Sequence, residues 1–327
     1  MKLMKKVGKI IGLITAVTAV MFTGAYAVWV PDAWDVYPEE FYKIYEVSSK
    51  YTTDKIDKEY LTIKNFKGKS YKTGEPLAEG MDLKTLALKF REDSGNDDVV
   101  GWIYVPKTNI NYPIVQYEND TDYYVNRNYW HFENKNEAYG FPGVIWVDSF
   151  CKFDELKNFS ENTVINGHNW ENYKGLPTYP EGPKINDFRD IMFSQFHSYL
   201  DYNYAKERPY IYISTLKENI ILKIFAVYCT EEEFKYYVTN LNESEKLYIL
   251  QEAMNRTIYD YGSEVYLSDK IFTFSTCTRA YGKGRQDQRF VIMARPLRDG
   301  ETIDDSVTIV KRENYKLPNL KKLDNNK

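Results

Sequence analysis

Residues 270–296 read KIFTFSTCTRAYGKGRQDQRFVIMARP, and the fold and chemistry of the chain follow from this stretch. Its first part, residues 271–276, is apolar and rich in β-branched and aromatic side chains, which predicts a buried strand that ends at Cys277. A loop of residues 278–288 follows, and a second apolar strand begins at Arg289. If the two strands pair, a thiol lies beside a guanidinium. A nucleophile next to a fixed cation indicates a chemical site rather than a packing contact.

Cys277 differs from the other two cysteines in its surroundings. Cys229 lies in the apolar run IFAVYCT, and we interpret it and Cys151 as small buried hydrophobic residues. Small polar residues flank Cys277, and cations follow it at Arg279, Lys283, Arg285 and Arg289, a neighbourhood that favours the nucleophilic thiolate. Because an exported chain with an odd number of cysteines cannot pair all of them internally, at least one is a free thiol or an intermolecular partner. The sequence leaves undecided whether Cys151 and Cys229 form a disulfide.

The N-terminus predicts export and a membrane anchor. Residues 1–9 carry four lysines and no acid, and residues 10–30 are uncharged and mostly apolar. A helix of this length can cross a bilayer core of about 30 Å. Lysines before the span and acids after it place the N-terminus inside and the remainder outside. The alternative is a cleaved signal peptide ending near Ala25-Tyr26-Ala27, but the apolar run continues through Val30, which favours a retained anchor.

Composition limits the function classes. The chain has 327 residues, 43% of them hydrophobic, and 30 tyrosines, which is typical of a β-rich protein with a sizeable core. Removing the four tail lysines from the net charge of −4 leaves −8 outside the membrane, which argues against a nucleic-acid partner. No cysteine or histidine cluster has the spacing of metal ligands, so we predict neither a metal nor a cofactor.

Short strands separated by turns dominate the chain from residue 99 onward and predict a mainly β fold with peripheral helices, an antiparallel barrel or sandwich. The eight predicted strands are Gly101–Val105, Tyr112–Val115, Gly143–Val147, Thr163–Asn166, Tyr210–Ser214, Ile220–Tyr228, Ile271–Thr276 and Arg289–Ala294. Asp82 is expected to cap a helix whose residues Leu83, Leu86, Leu88 and Phe90 face inward. In the insertion before the cysteine strand, Asn242 and Glu245 predict a second capped helix.

We predict five segments along the chain. They are a cytoplasmic basic tail (1–9), a transmembrane signal anchor (10–30), a stalk or N-terminal helical segment with a linker (31–81), a catalytic domain (82–312) and a loosely ordered polar tail (313–327).

Among the three histidines, His168 is the candidate for chemistry. It ends the strand-like run TVINGH, and Gly167 is expected to let the backbone turn so that the imidazole projects from the rim. His131 lies in a polar loop and His197 in an aromatic segment, and we interpret both as structural.

These motifs, in this order, resemble those of the class B sortases. VGWIYVPKTNINYPIVQ (100–116) is similar to the opening strands of that family, and NTVINGHNW (162–170) to its histidine segment. FTFSTC (272–277) resembles the TLxTC nucleophile motif, with Phe274 where leucine is usual, and RFVIMAR resembles the arginine strand. The resemblance covers residues 83–297 and implies an eight-stranded sortase-like β-barrel.

The resemblance also implies an activity, that of a membrane-anchored cysteine transpeptidase of a Gram-positive bacterium. Its substrate would be a surface protein or pilin with a C-terminal sorting signal, and its acceptor an amine of a lipid II-type cell-wall precursor. Cys277 would be the nucleophile, His168 the general acid and base, and Arg289 the residue that holds substrate and oxyanion. Ser275 and Thr276 would bind the signal.

Alternatives remain at this point: a pilin polymerase that uses a lysine amine, a thiol protease that releases product to water, and a non-enzymatic binding domain.

One departure from the family concerns an acid that follows the cysteine in some class B members. Here that place reads Thr278-Arg279-Ala280, so the role is either absent or moved, with Asp287 as the candidate.

Overall fold

The structure, a computed structural model, describes residues 82–108, 110–129, 131, 144–169, 192–281, 287–303 and 307–319. The predicted basic tail, membrane anchor, stalk and linker lie outside these residues, as does most of the insertion that begins at Trp170. Among the described residues, no helix is both long and apolar enough to cross a membrane.

Eight strands close into a barrel, and they match the eight predicted from sequence. Their bounds are β1 Val99–Tyr104, β2 Asn111–Val115, β3 Ile145–Val147, β4 Asn162–Asn166, β5 Tyr210–Thr215, β6 Asn219–Glu231, β8 Ile271–Cys277 and β9 Gln288–Pro296. The order around the barrel is β1-β2-β3-β4-β8-β9-β6-β5. Two short strands, β7 (Tyr259–Asp260) and β10 (Val310–Lys311), form a separate pair. The prediction of an eight-stranded β-barrel is therefore confirmed.

The prediction of an antiparallel barrel is wrong for two of its strand pairs. β2 pairs with β3 in parallel, and β4 pairs with β8 in parallel. Parallel strands need long crossover connections, and more than a hundred residues separate β4 from β8 along the chain. These crossovers set the direction of the strands, and the local hydrophobic pattern of the sequence does not reveal it.

The described residues include three α-helices: α1 Leu83–Ser94, α2 Tyr202–Lys206 and α3 Glu243–Arg256. α1 packs on β1 and α3 on β6. Asp82 caps α1 as predicted, and Asn242 and Glu245 form the predicted capping box of α3. Leu83, Ala87 and Phe90 form the buried face of α1, whereas Leu88 is 44% exposed. The prediction for Leu88 is wrong because a residue five positions after Leu83 lies on the opposite side of a 3.6-residue helix.

Residues 313–319, the first part of the predicted polar tail, contact the barrel domain. Lys316 donates its backbone N–H to Asn255 at 2.8 Å and pairs its ammonium with Glu252 at 2.6 Å. The backbone N–H of Asn319 donates to the Glu231 carboxylate at 2.9 Å. Residues 313–319 are thus held against α3 and the end of β6, which corrects the expectation of a loosely ordered tail for this part of it.

Asn162, at the start of β4, fixes the loop that follows β6. Its Nδ2 donates to the carbonyls of Tyr236 at 2.8 Å and Val238 at 2.9 Å, and its Oδ1 accepts from the Thr273 hydroxyl at 2.7 Å. The side chain is fully buried. One amide therefore joins β4, β8 and the loop that carries Tyr236.

Replacing Asn162 by Ala should lower the free energy of unfolding by about 3 kcal/mol, because buried partners lose their hydrogen bonds at about 1–3 kcal/mol each. Urea unfolding followed by circular dichroism measures the change. The matched control is Asn158→Ala at an exposed position, where we expect a change within about 0.5 kcal/mol. Equal stability of the two variants would show that Asn162 does not hold this loop.

Candidate active site

Cys277 and Arg289 face each other across the β8–β9 ladder. They are direct antiparallel partners in the register, and this confirms that the two predicted strands pair. Directly opposed residues have Cβ atoms about 4.5–5.5 Å apart and their side chains on the same face of the sheet. The two side chains therefore leave the sheet side by side because of backbone pairing alone.

Cys277 is the exposed cysteine, while Cys151 and Cys229 are buried free thiols. Cys151 and Cys229 therefore do not form the disulfide that the sequence allowed. Burial raises the pKa of Cys151 to about 12 and that of Cys229 to about 12, so both stay protonated at neutral pH. Such thiols are inert structural residues. This agrees with their interpretation from sequence.

The parallel β4–β8 pair brings His168 to the same edge of the barrel. Asn166 is the register partner of Ser275, and His168 and Cys277 each lie two residues further on. Two hydrogen bonds extend the alignment past the strand ends: Gly167 N–H to the Ser275 carbonyl at 3.2 Å, and Asn169 Nδ2 to the Cys277 carbonyl at 2.9 Å. The carboxyl ends of these strands thus carry both predicted side chains.

Gly167 is required for a different reason from the one predicted. A Cβ atom at this position would lie 2.7 Å from the ring of Phe193, which is too close for any side chain. Gly167 is not among the residues with positive φ. Its role is to let the histidine segment approach Phe193, not to allow an unusual backbone turn.

The imidazole of His168 is held by a backbone carbonyl. Nε2–H donates to the carbonyl of Val125 at 2.5 Å, and the ring lies 5.7 Å from that of Trp146, between centroids. Since a neutral imidazole has one N–H, this bond assigns the proton to Nε2 and the lone pair to Nδ1. Burial lowers the pKa of His168 below its usual value of 6.5, and the hydrogen bond to Val125 opposes this shift. His168 is therefore a neutral base at neutral pH.

One groove of about 760 Å³ contains the predicted side chains. Cys277, His168, Arg289, Ser275 and Thr276 all line it. Its walls are completed by the segment 121–126, by Trp146 and Asp148 of the β3 end, and by the loop after β6. The structure thus brings together every site residue predicted from sequence.

Ser275 and Thr276 contribute differently to the groove. The Ser275 hydroxyl hydrogen-bonds with the Tyr236 hydroxyl at 2.8 Å, and burial raises the pKa of Tyr236 to about 12, so that phenol stays protonated. The Thr276 hydroxyl is buried, and no residue that the structure describes hydrogen-bonds to it.

Comparison with known proteins shows which family the chain belongs to. A sortase B of Listeria monocytogenes is 31% identical over 215 residues, which cover 65% of this chain and 73% of the relative. The chain belongs to the sortase B family. A sortase B of Staphylococcus aureus is 27% identical over 201 residues, covering 61% of this chain and 70% of the relative. No protein-family model matches the chain.

Solved sortase B structures share the fold. A Staphylococcus aureus sortase B–substrate complex superposes with a TM-score of 0.51 and 23% identity, covering 66% of this chain and 86% of that structure. Members of the family are cysteine transpeptidases of the cell envelope, and this chain is a sortase transpeptidase. Family membership favours this activity over the pilin polymerase and thiol protease alternatives.

The sequence missed three groove residues of this sortase. Val125 supplies the carbonyl to His168, Tyr236 binds Ser275, and Glu232 forms an ion pair with Arg289. Each of them lies tens of residues from its partner, so no local pattern identified them. Glu232 is therefore an acid beside Arg289 that the sequence analysis did not name.

The remaining candidates occupy structural positions in the sortase fold. His131 is exposed beside the Tyr123 hydroxyl at 3.2 Å, and His197 is buried and hydrogen-bonded to the Thr278 hydroxyl. Arg295, the second arginine of the RFVIMAR segment, is buried and pairs with Glu301 at 2.7 Å. Arg285 lies outside the described residues.

His168 should titrate below its usual pKa of 6.5 in the folded sortase, and its neutral form should carry the proton on Nε2. The unfolded chain then binds more protons between the two pKa values. The resulting stability is fully present above about pH 6.5 and is lost as pH falls toward the folded pKa. Imidazole ¹⁵N NMR against pH measures both properties, and His168→Gln assigns the signal and removes its contribution to stability. A midpoint at or above 6.5, or a proton on Nδ1, would contradict this account.

Proposed function

We propose that this sortase cleaves a C-terminal sorting signal through a thioester on Cys277 and transfers the new carboxyl end to a cell-wall amine. The observation that carries this proposal is the register pairing of Cys277 with Arg289 in the groove that also holds His168. A thiol, a neutral base and a guanidinium around one groove are the parts that acyl transfer to and from sulfur requires.

His168 moves the protons in this mechanism. Its Nδ1 lone pair takes the proton of the Cys277 thiol, and the thiolate attacks the carbonyl carbon of the scissile threonine bond. The imidazolium then gives that proton to the leaving amine as the carbon–nitrogen bond breaks. In the second half, Nδ1 takes a proton from the acceptor amine, which attacks the thioester and releases the Cys277 sulfur. The proton returns to that sulfur, and the enzyme is unchanged.

Arg289 acts on the substrate rather than on the proton. Arg289 lines the groove as the register partner of Cys277, and its guanidinium is assigned to the carbonyl oxygen that gains negative charge in each tetrahedral intermediate. A cation in place before the reaction stabilises that charge without reorganisation. Ser275 and Thr276 line the groove floor and bind the signal peptide.

The partners are those that membership of the sortase family implies. The donor is a surface protein that carries the sorting signal, and the acceptor is an amine of a lipid II-type precursor. The apolar residues 10–30 anchor the enzyme as a single-pass protein with its N-terminus inside and its catalytic domain, residues 82–312, outside.

Ligation assays with the purified full chain test this function. NPQTN-like and LPxTG-like peptides are mixed with triglycine or a diaminopimelate-type amine, and mass spectrometry follows cleaved and ligated products. We expect one signal to be ligated, with no product from Cys277→Ala. His168→Ala should lower the rate about 10²–10⁴-fold and Arg289→Ala about 10²–10³-fold.

Lys235→Ala is the matched control, since Lys235 is an exposed cation in the loop after β6 and does not line the groove. It should retain nearly full activity. Ligation that persists in Cys277→Ala would contradict the assignment of the nucleophile. Cleavage without ligation by any amine would indicate a thiol protease instead.

A further inference from the structure

The side chain of Arg289 lines the groove and also forms an ion pair with a carboxylate. Its Nη2 pairs with Oε1 of Glu232, and its Nη1 donates to the Gln288 carbonyl at 3.0 Å. Glu232 also lines the groove. The Arg289 side chain is 25% exposed and that of Glu232 is 48% exposed, so the pair lies at the groove surface.

The β6–β9 ladder explains why these two residues meet. Thr230 is the register partner of Arg289, and Glu231 is the partner of Gln288. One more bond, from Glu232 N–H to the Asp287 carbonyl at 3.1 Å, extends the pairing past the end of β6. Residues two apart on a strand share a face, so Glu232 lies diagonally across from Arg289. Cys277 borders Arg289 from the opposite side, on β8.

The backbone that carries Glu232 is fixed on both sides. Before it, the buried carboxylate of Glu231 accepts two hydrogen bonds from Arg256, at 2.9 and 2.8 Å. After it, Tyr236 is tied to Ser275 through its hydroxyl and to Asn162 through its carbonyl. Glu232 therefore presents its carboxylate from a preorganised segment rather than from a mobile loop.

We propose that Glu232 is a positioning residue that holds the Arg289 guanidinium in the orientation needed for catalysis. This inference rests on the proposed function, in which Arg289 contacts the substrate. An arginine side chain has many rotamers, and a carboxylate on a fixed backbone selects among them before substrate arrives. A guanidinium has five N–H donors, so an ion pair through one nitrogen is compatible with substrate contacts through another. Exposed ion pairs contribute little to stability, so the effect lies in orientation.

Kinetics of the full-length Glu232→Gln variant test the proposal. We expect kcat/KM to fall about tenfold, mainly through kcat, because the interaction lost is one that acts in the transition state. Glu233→Gln is the matched control, with the same charge change at the next residue, and should behave like wild type. Glu232→Asp keeps a carboxylate and should recover part of the activity. In an Arg289→Ala background, Glu232→Gln should have no further effect, because both changes act through one guanidinium.

A second measurement is independent of turnover. Guanidinium ¹⁵N NMR of Arg289 should show slow rotation of the group in wild type and in Glu233→Gln, and faster rotation in Glu232→Gln. If the wild-type enzyme showed no transpeptidation, the proposed function would be overturned, but the NMR test of Glu232 would still apply. Unchanged rotation, or Glu232→Gln kinetics equal to or faster than those of Glu233→Gln, would overturn the positioning role.

Discussion

The pairing of Cys277 with Arg289 across β8 and β9 is the constraint on which the rest of the site depends. A hydrogen-bonded ladder fixes this proximity, so it does not require long side chains to find each other. Any shift of one residue in the register would turn one of the two side chains to the other face of the sheet. Nearly all residues of both strands are buried on both faces of the sheet, so a shifted register would disturb the packing on each side.

The other residues of the groove are added to this pair by neighbouring strands. The parallel β4–β8 pair delivers His168, and the extended β6–β9 ladder delivers Glu232. Three strands that are far apart in sequence therefore end at one edge, and each contributes a side chain of different chemistry. Buried polar residues such as Asn162 then hold the loop after β6 in place. A closed barrel is suited to this task because its strand ends are mutually fixed.

Much of this arrangement could be predicted from sequence. Strand positions follow from short apolar, β-branched runs between turns, and the cap of α3 follows from Asn242 and Glu245. The polar, cationic surroundings of Cys277 distinguish it from the two buried cysteines. Contacts between loops could not be predicted. His168 and Val125 are 43 residues apart, and Arg289 and Glu232 are 57 apart, so their meeting depends on barrel order rather than on local pattern. The need for a glycine at position 167 was also explained wrongly from sequence, because Phe193, which contacts this position, belongs to a distant segment.

The central claim is that Cys277 carries the acyl group between donor and acceptor. Intact-mass spectrometry of the full chain, quenched in acid after mixing with a sorting-signal peptide and no amine, tests it most directly. The account predicts a mass increase equal to the acyl fragment, located on Cys277 by peptide mapping and removed by added amine with formation of the ligated product. An acyl group on another residue, or ligation by an enzyme that never acquires the adduct, would contradict it.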